Sequence, residues 1–302
     1  MFQHGRGWRL GAMILALLAA SGAAAADDEK PPEVSWTPGP AEVDVGGELA
    51  KLGLPEGYAF AGEKDSQALL RYMGNLVDGS EVGIIVPRAQ EEDWLVVLEW
   101  DPMGYVKDDD KDDIDADAIL KSIREATEEG NEERKKMGSS ALHVIGWSEP
   151  PHYDAATHNL TWALLGENET GGRFVNHNVR VLGRTGVMSI TLIDAPEKIV
   201  ASKPQVETLV GAFSYKQGKT YAEWVPGDKV AEYGLTALVA AGAGAAAVKL
   251  GFFAFLAKLL AKSGKLLVAG VVAVGAGVSK FWSALRGKAS ARPAPPADPG
   301  AA

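Results

Sequence analysis

The stretch that decides the fold reads FVNHNVRVL at residues 174–182, GRTG at 183–186 and VMSITLI at 187–193. The two outer segments are rich in β-branched residues and have the length of a strand. The four residues between them have a glycine at each end and match the length of a hairpin turn. The stretch therefore predicts two antiparallel strands joined by a tight turn.

Outward from this hairpin, segments of strand composition occur in adjacent groups, and only some of them are separated by helices. Further strands are predicted at residues 82–86, 94–100, 142–147 and 160–165, and helices at 66–73, 118–137 and 196–213. Because several strands follow one another directly, antiparallel pairing is favoured. The predicted fold class is α+β, a mostly antiparallel sheet flanked by helices, with a C-terminal apolar helical membrane anchor.

The N-terminus carries an export signal. Arg6 and Arg9 precede an apolar run at residues 10–20, and small residues follow as far as Ala26. This order is typical of a secretory signal peptide, so residues 1–26 are expected to be cleaved.

Charge separates the rest of the chain into two parts. Residues 27–234 hold 39 of the 40 Asp and Glu residues, and they are expected to form one exported acidic α+β domain. Residues 235–285 are apolar and basic and are expected to form a membrane anchor, whereas residues 286–302 are rich in Pro and Ala and are expected to be disordered. An acidic domain is repelled by nucleic acid, so the expected partners are the lipid bilayer, through the C-terminal segment, and an envelope protein.

The anchor has two possible arrangements. Residues 235–257 are long enough to cross a bilayer but carry Lys249 near their middle, whereas residues 266–278 are more apolar but short. One span would leave the later basic residues in the cytoplasm, and a helical hairpin would bury both apolar stretches. Both arrangements remain open, and both place the protein at the bacterial inner membrane with its main domain in the periplasm.

The acidic run Asp108–Asp117 begins like a calcium-binding loop, because its first, third and fifth residues are Asp. The sixth position, which needs glycine, is Asp113, and the twelfth, which needs a bidentate Glu, is Ile119. An acidic loop before a helix, with Asp115 and Asp117 as capping candidates, explains the run without an ion. Whether the run binds a cation stays open at this point.

Residues for catalysis form no recognisable motif in the sequence. The four histidines from His143 to His177 lack the one-turn spacing of a zinc-binding helix, and no nucleophile elbow or Ser-x-x-Lys pair is present. The chain has no cysteine, which excludes disulfides, thiolate metal sites and cysteine nucleophiles. The sequence therefore predicts no catalytic, cofactor-binding or metal-binding residue, and no cofactor.

Several phrases of the sequence point to a known family. They are GYV at 104–106, GW at 146–147, NHNVRVLGRTG at 176–186 and DKVAEYGL at 228–235. Together they resemble a family of bacterial membrane-anchored proteins catalogued as domain of unknown function 2167. The resemblance implies an envelope protein with a signal, an exported domain and an anchor, and it implies no catalytic residues. The element order is also similar to folds of the Mog1 and PsbP type, which carries no function.

One strand offers a candidate ligand groove. Asn176, Asn178 and Arg180 occupy alternate positions between residues 174 and 182, so they face one side of the sheet. The sequence phrases shared with the family, and the residues next to them, add Arg184, Trp147 and Tyr153 as further candidates for this groove. The predicted groove consists of Asn176, Asn178, Arg180, Arg184, Trp147 and Tyr153.

Three classes of function are compatible with these observations. The leading hypothesis is a non-catalytic membrane-anchored envelope protein whose exported domain binds a protein or a small ligand. One alternative is an exported hydrolase or metal-dependent enzyme with a site assembled only in three dimensions, and another is a membrane-assembly component acting through its C-terminal helices. An enzyme should bring at least two polar groups into one pocket from among His143, His152, Asp154, His158, Asn176 and Arg180.

Overall fold

The computed structural model of the protein describes residues 31–73, 75, 77–136 and 140–241. These residues belong to one compact unit, Met1–Phe252. The expected signal peptide, the expected disordered tail and the part of the expected anchor after residue 241 lie outside the described residues. None of the described helices has the length and apolar content needed to cross a membrane.

The hairpin predicted from residues 174–193 lies within an eight-stranded antiparallel sheet, and a three-stranded antiparallel sheet lies beside it. The large sheet has the order β1-β4-β5-β6-β10-β9-β8-β7 and the small sheet the order β11-β3-β2. The strands are β1 (Thr37–Pro38), β2 (Ala41–Val45), β3 (Ala50–Leu54), β4 (Tyr58–Gly62), β5 (Glu81–Pro87), β6 (Leu95–Asp101), β7 (Leu142–Asp154), β8 (Asn159–Asn168), β9 (Arg173–Leu182), β10 (Val187–Asp194) and β11 (Phe213–Tyr215).

In the described part of the chain, three helices lie in the connections between these strands, and a fourth follows the last strand. They are α1 (Glu63–Tyr72), α2 (Ala116–Lys136), α3 (Ile199–Gly211) and α4, which is described over Leu235–Ala241. Asp115, one of the capping candidates, accepts a hydrogen bond from the backbone N–H of Ala118 at 3.0 Å, so it caps α2. The predicted α+β class and the antiparallel sheet flanked by helices are therefore confirmed. Phe213, predicted to end a helix, instead begins β11, because α3 stops at Gly211 and the chain turns to pair with β3.

One face of the large sheet, which we call the packed face, is buried against the small sheet and α3. Alternate residues of β6, β10 and β9 point to this face, and most of them are apolar. The resulting cluster includes Val45, Leu52 and Leu54 from the small sheet, Val96, Leu98, Ile190 and Leu192 from the large sheet, and Val206 and Leu209 from α3. Burying each such side chain contributes about 1.5–3 kcal/mol, so this cluster is the main source of stability.

The opposite face, which we call the helical face, is covered by helices at its two ends. Helix α1 packs on β4 and β5 through Leu69 and Leu70, which contact Ile84 among others. Helix α2 packs on β7, with Ile119 and Ile123 fully buried. The strands between these helices, β6, β10 and β9, carry polar side chains on this face.

Candidate functional site

The predicted polar strip, Asn176, Asn178 and Arg180, lies in the middle of the helical face. The three residues alternate along β9, and Asn178 lies directly opposite Thr191 on β10 and Trp162 on β8. Residues that are directly opposite in antiparallel strands point to the same face. The register therefore adds Trp162 and Thr191 to the strip, and neither follows from the sequence of β9 alone.

Arg180 is the unusual member of the strip. It is buried, with 7% of its surface exposed, and its guanidinium carbon lies 5.0 Å from the centre of the Trp162 ring, a cation–π contact. It forms no hydrogen bond or ion pair among the described residues, and its Nη1 atom has no acceptor. Burial lowers the pKa of this guanidinium, although an arginine keeps its charge at neutral pH. A buried charge without a partner is strongly unfavourable, which calls for a functional explanation.

Two further polar atoms on this face are buried without a partner. They are the indole Nε1 of Trp162 and the amide Oδ1 of Asn176. Asn178, between them, is satisfied, because its amide donates to the carbonyl of Asn176 at 2.9 Å and accepts from the Thr191 hydroxyl at 3.2 Å. Since native proteins pair nearly all buried polar atoms, three unpaired atoms on neighbouring strands mark a place where a ligand or ordered water completes the bonding.

Other described buried side-chain atoms without a partner belong to other parts of the fold. These atoms are Trp94 Nε1, Asn159 Oδ1, His177 Nδ1 and Trp224 Nε1. His177 lies on β9 between Asn176 and Asn178, so it faces the packed side of the sheet. Among the described residues, the strip on the helical face is therefore the place where buried polar atoms without a partner lie near a charged group, the Arg180 guanidinium.

A carboxylate lies on the same face, two strands from Arg180. Ser189 of β10 is directly opposite Arg180 on one side and Glu99 of β6 on the other. Burial raises the pKa of Glu99, and the positive charge of Arg180 lowers it in part. Glu99 and Arg180 form no ion pair, so the helical face holds an unpaired positive and an unpaired negative side chain.

Trp147 shares the helical face with the strip, because it lies opposite Leu164 of β8. Its indole Nε1 donates to the carbonyl of Ala116, the first residue of α2, at 3.1 Å. Trp147 therefore fixes the start of α2 against the sheet, beside the strip.

Tyr153 also points to the helical face, but its hydroxyl belongs to a different contact. It donates to the carboxylate of Asp108 at 3.1 Å and lies 2.9 Å from Nδ1 of His158. Burial, followed by the charge of Asp108, raises the pKa of the Tyr153 phenol. Tyr153 thus joins β7 to the acidic run.

Arg184 lies in the turn between β9 and β10, away from the strip. Its guanidinium donates two hydrogen bonds to Asp228, at 2.7 and 3.0 Å. Asp228 also accepts a bond from the backbone N–H of Val225 at 3.0 Å, and the hydrogen bond from Arg184 holds the pKa of Asp228 below its ordinary value. The structure therefore separates Arg184 from the other predicted groove residues and gives it a partner.

We call the region around this ion pair the junction, which comprises residues 104–110, His158, 183–186 and 219–236. Four aromatic rings follow one another here, His158, Tyr221, Tyr105 and Trp224, with successive centroids 4.3, 4.5 and 5.1 Å apart; Tyr105 is stacked on Tyr221 and on Trp224, whereas His158 is tilted against Tyr221. These ring contacts hold the segment 219–224 against Tyr105 and His158.

The acidic run contributes to the junction through its side chains. Asp110 accepts hydrogen bonds from the backbone N–H groups of Leu235 and Thr236, both at 3.0 Å, so it binds the first turn of α4. Gly234 lies so close that an added Cβ would approach Asp110 Oδ1 to 2.6 Å. Among the described residues, no group of three or more His, Asp or Glu is placed to hold a metal ion.

The three histidines predicted as possible members of an enzyme pocket, His143, His152 and His158, lie apart from one another, whereas His152 and the buried His177 approach the same carboxylate, Glu149. His143 contacts Glu128 at 2.8 Å, His158 belongs to the junction, and His152 lies 3.7 Å from Glu149. His177 is buried on the packed face, 3.8 Å from Glu149, whose carboxylate accepts a bond from Lys203 at 2.6 Å. Burial, and then the charge of Lys203, lowers the pKa of His177 to about 4.

A family model described as "Protein of unknown function (DUF2167)" matches residues 37–275. The match spans most of the chain, so the chain belongs to this family, and the prediction made from the sequence phrases is confirmed. No curated protein matches the chain.

Two solved structures are similar to the chain at low identity. The solution structure of cyanobacterial PsbP (CyanoP) from Synechocystis sp. PCC 6803 shares 11% identity, with 63% of this chain and 98% of that chain covered and a TM-score of 0.36. The crystal structure of the Ran-binding protein Mog1p of Saccharomyces cerevisiae shares 13% identity, with 60% and 96% covered and a TM-score of 0.29. Similarities this low say nothing about function.

The first prediction compares the two arginines. Replacing Arg180 by Met should leave the free energy of unfolding unchanged or raise it by roughly 1–3 kcal/mol, because a buried donor without an acceptor is replaced by an apolar side chain of similar length. The matched variant Arg184→Met should lower stability, because it leaves Asp228 without its bidentate partner. Urea unfolding of the purified full-length variants measures both. Marked destabilisation by Arg180→Met would show that Arg180 has a structural partner.

The second prediction concerns pH. Above its pKa of about 4, His177 is neutral in the folded protein, and between that pH and its ordinary pKa of 6.5 it takes up a proton on unfolding, so its contribution to stability is complete only above pH 6.5. The stability is lost as the pH falls from 6.5 towards 4, by roughly 3 kcal/mol in total. Unfolding measured across this range should therefore show a shallower pH dependence for His177→Gln than for the unchanged protein. Parallel curves for the two proteins would contradict the assignment.

Proposed function

We propose that this member of the DUF2167 family is a non-catalytic binding protein of the bacterial envelope, and that it binds its ligand on the helical face through Arg180. The observation that carries the proposal is the burial of the Arg180 guanidinium without an acceptor among the described residues. Natural proteins retain such a cost where function requires it. The ligand supplies the missing acceptor.

The neighbours of Arg180 define what the ligand offers. A guanidinium presents paired N–H groups that match a carboxylate, and the free Nε1 of Trp162 adds another donor on the same face. Further along β9, on the same face, the free Oδ1 of Asn176 can accept a hydrogen bond from the ligand. Thr191, Asn176 and Glu99 are only partly buried, which gives the strip a route to solvent. The ligand therefore carries at least one carboxylate, either as a small molecule or as part of a partner protein.

The distribution of reactive groups favours binding over catalysis. Of the six residues considered for an enzyme pocket, Asn176 and Arg180 lie together on the helical face, whereas His152 belongs to the packed face and His158 to the junction. No nucleophile or base accompanies Arg180 within hydrogen-bonding distance among the described residues. The hypothesis of assembly through the C-terminal helices concerns residues after 241, which lie outside the described part of the chain.

The membrane anchor is the second part of the proposal. Its support is the division of charge at residue 235 and the pattern at residues 1–26 that is typical of a signal peptide, which together favour a periplasmic domain at the inner membrane. Leu235 is fully buried and α4 packs against α2, so the first residues of the proposed anchor segment, Leu235–Ala241, are held on the domain. The partners proposed are the bilayer, through this segment, and an envelope protein, with no nucleic acid.

The third prediction tests the binding site. Small carboxylates, tested singly against the full-length protein in detergent, should raise its unfolding temperature, because a ligand at 100 times its Kd stabilises by about 2.7 kcal/mol. Arg180→Met should abolish the increase, and Arg184→Met should retain it from a lower starting temperature. The proposal fails if no carboxylate stabilises the protein, or if Arg180→Met responds like the unchanged protein.

The fourth prediction tests the anchor. The full-length protein should remain with the membranes after alkaline extraction, because residues 235–285 are apolar. A version that ends at Ala241 keeps the contact between α4 and α2 and should be released from the periplasm in soluble form. Full-length protein found in an aqueous extract without detergent would contradict the anchor. A domain protected from protease added outside the cytoplasm would contradict the periplasmic location.

A further inference from the structure

The helical face holds two opposite charges that are kept apart. Arg180 and Glu99 both lie opposite Ser189, on either side of β10, so their Cα atoms are separated by two strand spacings, about 10 Å. Both side chains are long enough to meet across a serine, and no contact within 4.0 Å forms between them. If Arg180 and Glu99 served only to stabilise the fold, an ion pair between them would be expected. Their separation therefore requires an explanation.

The separation has a visible cause on the arginine side. The guanidinium lies over the Trp162 ring on β8, which draws it away from β6. Ser189 between the two charges has a small side chain and makes no side-chain hydrogen bond among the described residues. Arg180, Ser189 and Glu99 therefore form one polar row across β9, β10 and β6 on the helical face.

The other acidic residue in this row is already satisfied. Glu81 of β5 lies opposite Glu99, but its carboxylate accepts hydrogen bonds from the backbone N–H groups of Asp78 and Gly79, at 3.3 and 3.1 Å. Glu99 accepts no hydrogen bond from any described residue. Of these two carboxylates, that of Glu99 is therefore the one that can still bind a cation.

We infer that the ligand of the helical face is a compact zwitterion, with a carboxylate bound by Arg180 and Trp162 Nε1 and an ammonium group bound by Glu99. This inference rests on the proposed function, because it assigns the second half of the same site. The chemistry is that of an amino acid, in which the two charges are a few carbons apart. A ligand with both charges satisfies each unpaired group at once, whereas a simple anion would lie beside the uncompensated carboxylate of Glu99.

The test uses a series of probes that differ only in charge and spacing. Glycine, β-alanine and γ-aminobutyrate carry both groups at increasing separation, and N-acetylglycine carries only the carboxylate. Binding to the full-length protein in detergent is measured by calorimetry. At least one amino acid should bind at least ~10-fold more tightly than N-acetylglycine.

Two variants test whether Glu99 is the residue that binds the ammonium group of the ligand. Glu99→Gln should remove the advantage of the amino acid and leave N-acetylglycine binding unchanged or stronger. Asp101→Asn, on the same strand and face, is the control and should keep most of the advantage. Equal affinity for the amino acids and N-acetylglycine, or an advantage that survives in Glu99→Gln, overturns the inference while the carboxylate site stands. Absence of binding by every probe overturns the inference together with the proposed function.

Discussion

The structure depends on the hydrogen-bonded register of four adjacent strands, β8, β9, β10 and β6. In an antiparallel sheet a shift of one residue would exchange the two faces of a strand. The observed register puts Val179 with Ile190 on the packed face and Arg180 with Ser189 on the helical face. Both the main core and the polar strip follow from this one alignment.

The two faces are energetically unequal, and this inequality makes the strip possible. The packed face buries a large apolar cluster shared by both sheets and α3, which supplies the stability of the domain. The helical face is covered by α1 and α2 at its ends, so the strands between them do not need a continuous apolar surface. Arg180 is buried there at a cost that the packed face offsets.

The family phrases find a structural explanation at the junction. GYV at 104–106, the turn at 183–186 and DKVAEYGL at 228–235 are far apart in the sequence but contact one another. Arg184 binds Asp228, and Tyr105 pairs its backbone with the segment around Val230. Gly104 has a φ of 109° and lies so close to Lys229 that an added Cβ would approach its carbonyl oxygen to 2.8 Å. These phrases therefore maintain the attachment of the C-terminal segment to the domain.

The sequence by itself determined the α+β class, the hairpin at 174–193, the family and the alternation that places Asn176, Asn178 and Arg180 on one face. These properties depend on local periodicity and composition, which are visible along one strand. Only the tertiary structure decided that Trp162 and Glu99 join Arg180, that Arg184 is engaged by Asp228 and that Asp110 caps α4. Such contacts join residues up to 126 positions apart. They are set by strand order and register, which no single segment of the sequence encodes.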